Sequence, residues 1–100
     1  MKALIFWGVG GGYGGIDSAL LLEYKDDSLT EETAKILAEE EAYRLSYEEC
    51  ESYGIGDYEE DEESREEEIE SWIDYRVIIN PTEEQINEAK MHHFTDETSD

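Results

Sequence analysis

The chain has 100 residues, with 29 Asp and Glu against 7 Lys and Arg, a formal net charge of −22, and a single cysteine, Cys50. That length supports one domain with one modest core and leaves little room for a second, substrate-binding domain. A lone cysteine excludes an intramolecular disulfide and points to a reducing cytosol, while the charge disfavours nucleic acid and anionic membranes as direct ligands and favours a basic partner.

Residues 2–9, KALIFWGV, read as a buried strand and are too short for a membrane span or a signal-peptide core. The strand runs into GVGGGYGG, in which Gly10, Gly12 and Gly15 have the spacing of a dinucleotide-binding loop. Residues 17–26 are open between strand and helix, because Leu20, Leu21 and Leu22 are consecutive and show no period. A helix starting near Ser28 leaves little room for another one before it, so a strand is favoured and the first third becomes a hairpin-like pair.

The clearest helix follows. Ser28 and Glu31 have capping-box spacing, and Gly54 is a suitable stop. Leu29, Ile36, Tyr43, Tyr47 and Cys50 form its expected apolar stripe, widened by Ala34, Ala38, Ala42 and Leu45, with Glu39, Glu40, Glu48, Glu49 and Glu51 outside. Residues 57–70 then hold ten carboxylates and one Arg. This run is a loop or a short helix, with Tyr58, Ile69 and Trp72 as possible anchors. WIDYRVIIN is a strand ended by Asn80 and Pro81. PTEEQINEAKMHHF is a short helix capped by Thr82, with Ile86, Ala89, Met91 and Phe94 as its apolar side.

The expected fold is a single α+β domain over residues 1–95 with a frayed acidic tail, 96–100. Its small, mainly antiparallel sheet has about three strands, and one long and one or two short helices pack on one face.

The candidate sites separate on chemistry. A dinucleotide loop must lead into a helix N-terminus within a βαβ unit, and a strand is favoured there instead, with no basic residue near the glycines. A P-loop is absent because no Gly-Lys-Ser or Gly-Lys-Thr follows. The glycines are then a hairpin connection whose flexible arch displays Tyr13 to a partner. Asp57, Glu59, Asp61, Glu63 and Glu68 match places one, three, five, seven and twelve of a calcium loop, but Glu62 replaces the turn Gly and Arg65 holds the ninth place. His92 and His93 are adjacent and lack further zinc ligands. Cys50 lies on the apolar stripe, so it reads as a buried, inert thiol. No catalytic residue, metal or cofactor is assigned, and the chain reads as non-enzymatic.

Duplex DNA carries one negative charge per ~1.7 Å of axis. Residues 57–70, if wholly helical, would span ~21 Å, with one net charge per ~2.3 Å. GVGGGYGG, ESYGIG and WIDYRV, taken with this acidity, resemble small acidic bacteriophage proteins of the anti-CRISPR and anti-restriction DNA-mimic type. The resemblance implies a host-defence inhibitor in the bacterial cytoplasm that blocks a basic DNA- or RNA-binding surface of a nuclease complex. The expected contacts are Glu59, Glu60, Asp61, Glu62, Glu63, Glu66, Glu67 and Glu68, with Tyr58 and Tyr13 as aromatic anchors. Two other readings stay open, a calcium-responsive binding module and a structural phage protein that self-assembles through its tyrosines. Oligomeric state is not fixed by the sequence.

Overall fold

A computed structural model of the chain describes residues 1–97. The hairpin expected at the start is present: β1 (Lys2–Val9) and β2 (Gly15–Glu23) pair antiparallel across a 3-10 turn at Gly11–Tyr13. Ile5 lies opposite Leu20 and Leu4 opposite Leu21. The three consecutive leucines lack a period because both faces of this hairpin are covered, so neither parity of residue is polar. Register shifts between Trp7, opposite Ser18, and Gly8, opposite Ile16, which leaves Asp17 as the extra residue of a β-bulge.

Among the described residues four strands form the sheet, one more than expected, in the order β3-β1-β2-β4. Strand β3 (Ile73–Ile79) pairs antiparallel with β1, and β4 (His93–Glu97) runs parallel to β2, so the sheet is mixed. The last helix, α3 (Glu83–Ala89), is shorter than the sequence suggests. It begins as expected, with a capping box between Thr82 and Gln85. After it the chain turns back, and Phe94 packs from β4 against the cluster beneath α3, where it covers the outer side of β2. Asp96 and Glu97, expected in a frayed tail, belong to β4, while the rest of that tail, 98–100, lies outside the described residues.

The helices occupy both faces of the sheet, not one. Ala38 and Ala42 of α1 (Glu31–Ser52) pack on Ala3, Ile5 and Leu20, while Ala89 and Ile86 of α3 pack on Leu4, Phe6, Ala19 and Leu21. Side chains alternate along a strand, so an unbroken apolar run such as residues 3–6 requires cover on both sides.

Thr30, not Ser28, caps α1; its hydroxyl accepts the Thr33 N–H at 3.1 Å. Ser28 instead donates its N–H and hydroxyl to Asp26 at 2.9 and 2.7 Å, which holds the Asp26 carboxyl below its ordinary range. The buried face of α1 also differs from the expected stripe. Ala34, Ala38, Ala42, Ser46 and Cys50 are fully buried, whereas Ile36 and Tyr43 are exposed. Bulk comes from the sheet, so the helix lies close to it only along a line of small residues.

Ser46 fixes the middle of that line. Its hydroxyl donates to the Gly8 carbonyl at 2.7 Å and accepts the Asp74 N–H at 3.2 Å, which ties α1 to two strands. Ser46→Ala is expected to cost about 1–3 kcal/mol, because two buried backbone groups lose a partner. Urea unfolding of the variant at fixed salt measures this cost.

Candidate protein-docking surface

Two glycines with positive φ, Gly54 (81°) and Gly56 (85°), turn the chain out of α1 towards the acidic segment. Gly54 ends α1, as its sequence position suggests. The acidic run becomes helical only over α2 (Glu62–Glu70), and residues 57–60 form turns before it. Asp61 is the cap, its carboxylate accepting the Ser64 N–H at 3.4 Å. Ile69 is buried with Val9, Cys50 and Ile55, and Arg65 reaches Glu51 on α1 at 2.7 Å. One apolar anchor, one ion pair and a hydrogen bond from the Tyr43 hydroxyl to Glu70 therefore hold a helix whose other side chains are nearly all charged.

Nine residues of helix extend ~13 Å. Six glutamates less Arg65 leave a net charge of −5 on α2, or one per ~2.7 Å of rise. The segment is thus shorter and slightly less dense than a helix over all of residues 57–70 would be. Every one of the ten expected contact residues is exposed, Tyr58 almost completely. Two of the acids serve the fold: Asp61 caps α2, and Glu68 accepts the Trp72 indole N–H at 3.2 Å. Among the described residues, the side-chain carboxylates of Glu59, Glu60, Glu62, Glu63, Glu66 and Glu67 have neither a hydrogen-bond nor an ion-pair partner.

Charge placement also runs against helix stability at one end. Glu62 and Glu63 suit the positive N-terminus of α2, but Glu67, Glu68 and Glu70 crowd its negative C-terminus, where there is no basic residue in the last turn. The last turn of α1 has none either.

Tyr13 is held rather than displayed on a loose arch. Its ring lies 5.2 Å from that of Tyr53 and 5.5 Å, edge-on, from Trp72. Trp72 in turn touches the glycine loop, since a Cβ at Gly11 would come within 2.2 Å of its ring and Gly10 N–H donates to its carbonyl at 2.9 Å. The expected contacts are therefore joined through the Trp72–Glu68 hydrogen bond, with a half-exposed aromatic cluster beside the acidic helix. The third ring, Tyr53, stands next to Gly54 at the end of α1, and its aromatic side chain makes it a candidate anchor from the sequence as well.

A second tyrosine contact borders α2. The Tyr43 hydroxyl donates to Glu70 at 3.0 Å. Loss of hydration and then this carboxylate push its pKa up to about 12. Cys50 is buried, and burial followed by the charge of Glu49 raises its thiol, so the thiolate is disfavoured.

The glycine loop leads into β2 and not into a helix, so no helix N-terminus stands where a pyrophosphate would lie. In the calcium-like spacing, Glu63 and Glu68 fall on α2 five residues apart and leave the helix in different directions. Among the described residues, no three His, Cys, Asp or Glu side chains are gathered as a metal set. His92 lies edge-on to Phe6, with ring centroids 5.8 Å apart, and His93 opens β4. No described helix is long and apolar enough to cross a membrane.

One carboxylate outside this surface is also unsatisfied. Among the described residues one oxygen of this carboxyl, Glu49 Oε2, is buried without a hydrogen-bond partner, and the group's pKa is raised first by burial and then by the charge of Asp17 at the bulge and a hydrogen bond with it, with His93 opposing. A pKa raised on folding adds stability below the ordinary carboxylate range, and that stability is lost as pH rises through the raised value. Glu49→Gln is therefore expected to raise Tm at neutral pH and to make the gain in Tm on acidification shallower. Thermal melts across pH 4–8 would show it; an unchanged slope would contradict it.

No family model, curated protein or solved structure matches the chain. What fold and surface define is an acidic α+β protein with a four-stranded sheet and an acidic helix set beside an aromatic cluster.

Proposed function

We propose that this protein is a non-enzymatic inhibitor that occupies a basic nucleic-acid-binding surface of another protein, in the manner of the phage-encoded host-defence inhibitors its sequence resembles. The observation that carries this reading is the set of six unpartnered carboxylates on and just before α2. Charge that the fold leaves unpaired is available to a partner. Lys and Arg side chains that line a nucleic-acid groove would meet those carboxylates in charge-assisted hydrogen bonds, and long-range attraction would speed encounter. The ring cluster of Tyr13, Tyr53 and Trp72, with Tyr58 nearby in sequence, supplies the anchors that charge alone lacks.

Inhibition is steric: while the acidic helix sits in the groove, DNA or RNA cannot enter. A bacterial defence nuclease complex is the proposed target. The immobilised protein should capture basic nucleic-acid-binding proteins from a bacterial lysate, release them as salt is raised, and lose them to added duplex DNA. Capture that ignores both salt and DNA would sink the proposal.

A further inference from the structure

The two edges of the sheet are unlike. Strand β4 has five residues and carries Asp96 and Glu97, charges of one sign that discourage pairing, whereas β3 has seven, IDYRVII, with no proline, no lysine and no bulge, and its two charges, Asp74 and Arg76, are opposite in sign. Which backbone groups β3 leaves open follows from its ladder. At one end Gly10 N–H donates to Trp72 O at 2.9 Å, and at the other Asn80 N–H donates to Lys2 O at 2.8 Å. Alternate residues of a strand direct their backbone groups to the same side. The even-numbered residues of β3 therefore face β1, and the N–H and C=O groups of Ile73, Tyr75, Val77 and Ile79 point away from it. Among the described residues no strand pairs with that edge.

Beside the edge, on the α1 side, lies a groove of about 390 Å³ lined by Ile36, Glu39, Glu40, Tyr43 and Tyr75. Its apolar members remain uncovered: Ile36 is 52%, Tyr75 38% and Tyr43 36% exposed. Its lining combines these apolar side chains with the two carboxylates of Glu39 and Glu40.

We propose that the outer edge of β3 accepts an extended, basic segment of the partner protein as a fifth strand. Backbone hydrogen bonds to Tyr75 and Val77 supply register. Apolar side chains on the α1 side enter the groove, and flanking Lys or Arg side chains meet Glu39 and Glu40. Charge selects this occupant, since a second copy of the chain would bring another −22 to the same edge. The proposal rests on the reading that the partner is basic, but it uses a different surface from α2.

The probe is a short synthetic peptide that carries, on one parity of residues, valine at the centre and lysine at the flanks, with threonine between, compared with the same peptide N-methylated on the residues that would donate to the edge. Amide exchange followed by NMR should slow several-fold at Tyr75 and Val77 with the first peptide and not with the second. Tyr75→Pro removes an outward N–H that β1 does not use, so this variant should keep its fold and lose the peptide. Tyr75→Ala should weaken binding but keep the protection at Val77. If Tyr75→Pro fails to fold, the N-methylated peptide still decides the matter. Glutamine substitution of the α2 acids should leave the protection in place, which separates this edge from the proposed inhibitory helix. Peptide binding without protection at these amides, no binding, or protection without peptide at doubled mass would each overturn the proposal.

Discussion

Replacing Glu59, Glu60, Glu62, Glu63, Glu66 and Glu67 together with glutamine is expected to abolish capture of the basic partner while the protein stays folded. Among the described residues none of the six carboxylates has a hydrogen-bond or ion-pair partner, so the fold loses no side-chain pairing. Glutamine matches glutamate in helix propensity, and removal of six charges takes the net charge from −22 to −16, which relieves self-repulsion. Against that gain stands the loss of Glu62 and Glu63 at the positive end of α2, roughly 0.3–1 kcal/mol each. Stability should therefore change little.

Affinity should not survive. A hydrogen bond to a charged group contributes about 1.5–3 kcal/mol, so losing two of them already weakens binding more than about a hundredfold. Asp61 and Glu68 are left in place because the first caps α2 and the second holds Trp72. Titration calorimetry across a salt series should show both the weaker binding and a shallower salt dependence. Undiminished affinity in a folded variant would exclude α2 as the contact surface.

The elements that local signals define were legible in the sequence. Strands β1 and β3, the Gly54 stop, the Thr82 cap and the strand at β2 all follow from short-range chemistry. What was not legible depended on what the chain meets in space. Ile36 and Tyr43 look like core on a helical wheel, but the sheet beneath α1 already carries Ile5, Leu20 and Val77, so only alanine, serine and cysteine fit between. Phe94 reads as a continuation of α3, yet the open side of β2 recruits it into a strand. The acidic candidates were all placed at the surface, but nothing local to Glu68 says that an indole four residues on will engage it, or that Asp61 will be the cap. Tyr13 reads from the sequence as displayed on a flexible arch because glycines surround it. The rings that hold it come from α1 and from the segment before β3, and a linear reading does not bring these together.

Two glycines of the same hairpin, one in β1 and one in its turn, are expected to respond to alanine in opposite ways. At Gly8 an added Cβ would lie 2.0 Å from the Gly15 carbonyl oxygen, 2.7 Å from the Gly15 carbonyl carbon and 2.8 Å from Ile16 Cα, all backbone atoms that cannot turn aside. Relief by moving β1 is opposed from α1, because the Gly8 carbonyl is hydrogen-bonded to Ser46. Gly8→Ala should therefore cost about 3 kcal/mol or more, at the upper end of overpacking effects. A small domain has only about 5–15 kcal/mol in total, and a net charge of −22 draws on that margin. The variant should be largely unfolded at low ionic strength and recover as salt is added, since the screening length falls from ~30 Å at 0.01 M to ~3 Å at 1 M. Gly12→Ala should be close to neutral or slightly stabilising, because nothing lies within 4 Å of its Cβ and the substitution restricts the unfolded chain. Circular dichroism melts of both variants over a salt series compare a hairpin joint with a turn. If Gly8→Ala proved as stable as Gly12→Ala, the bulge at Asp17 would not be fixed between β1 and α1, and Trp72 would have no rigid loop beneath it to set the angle of the acidic helix.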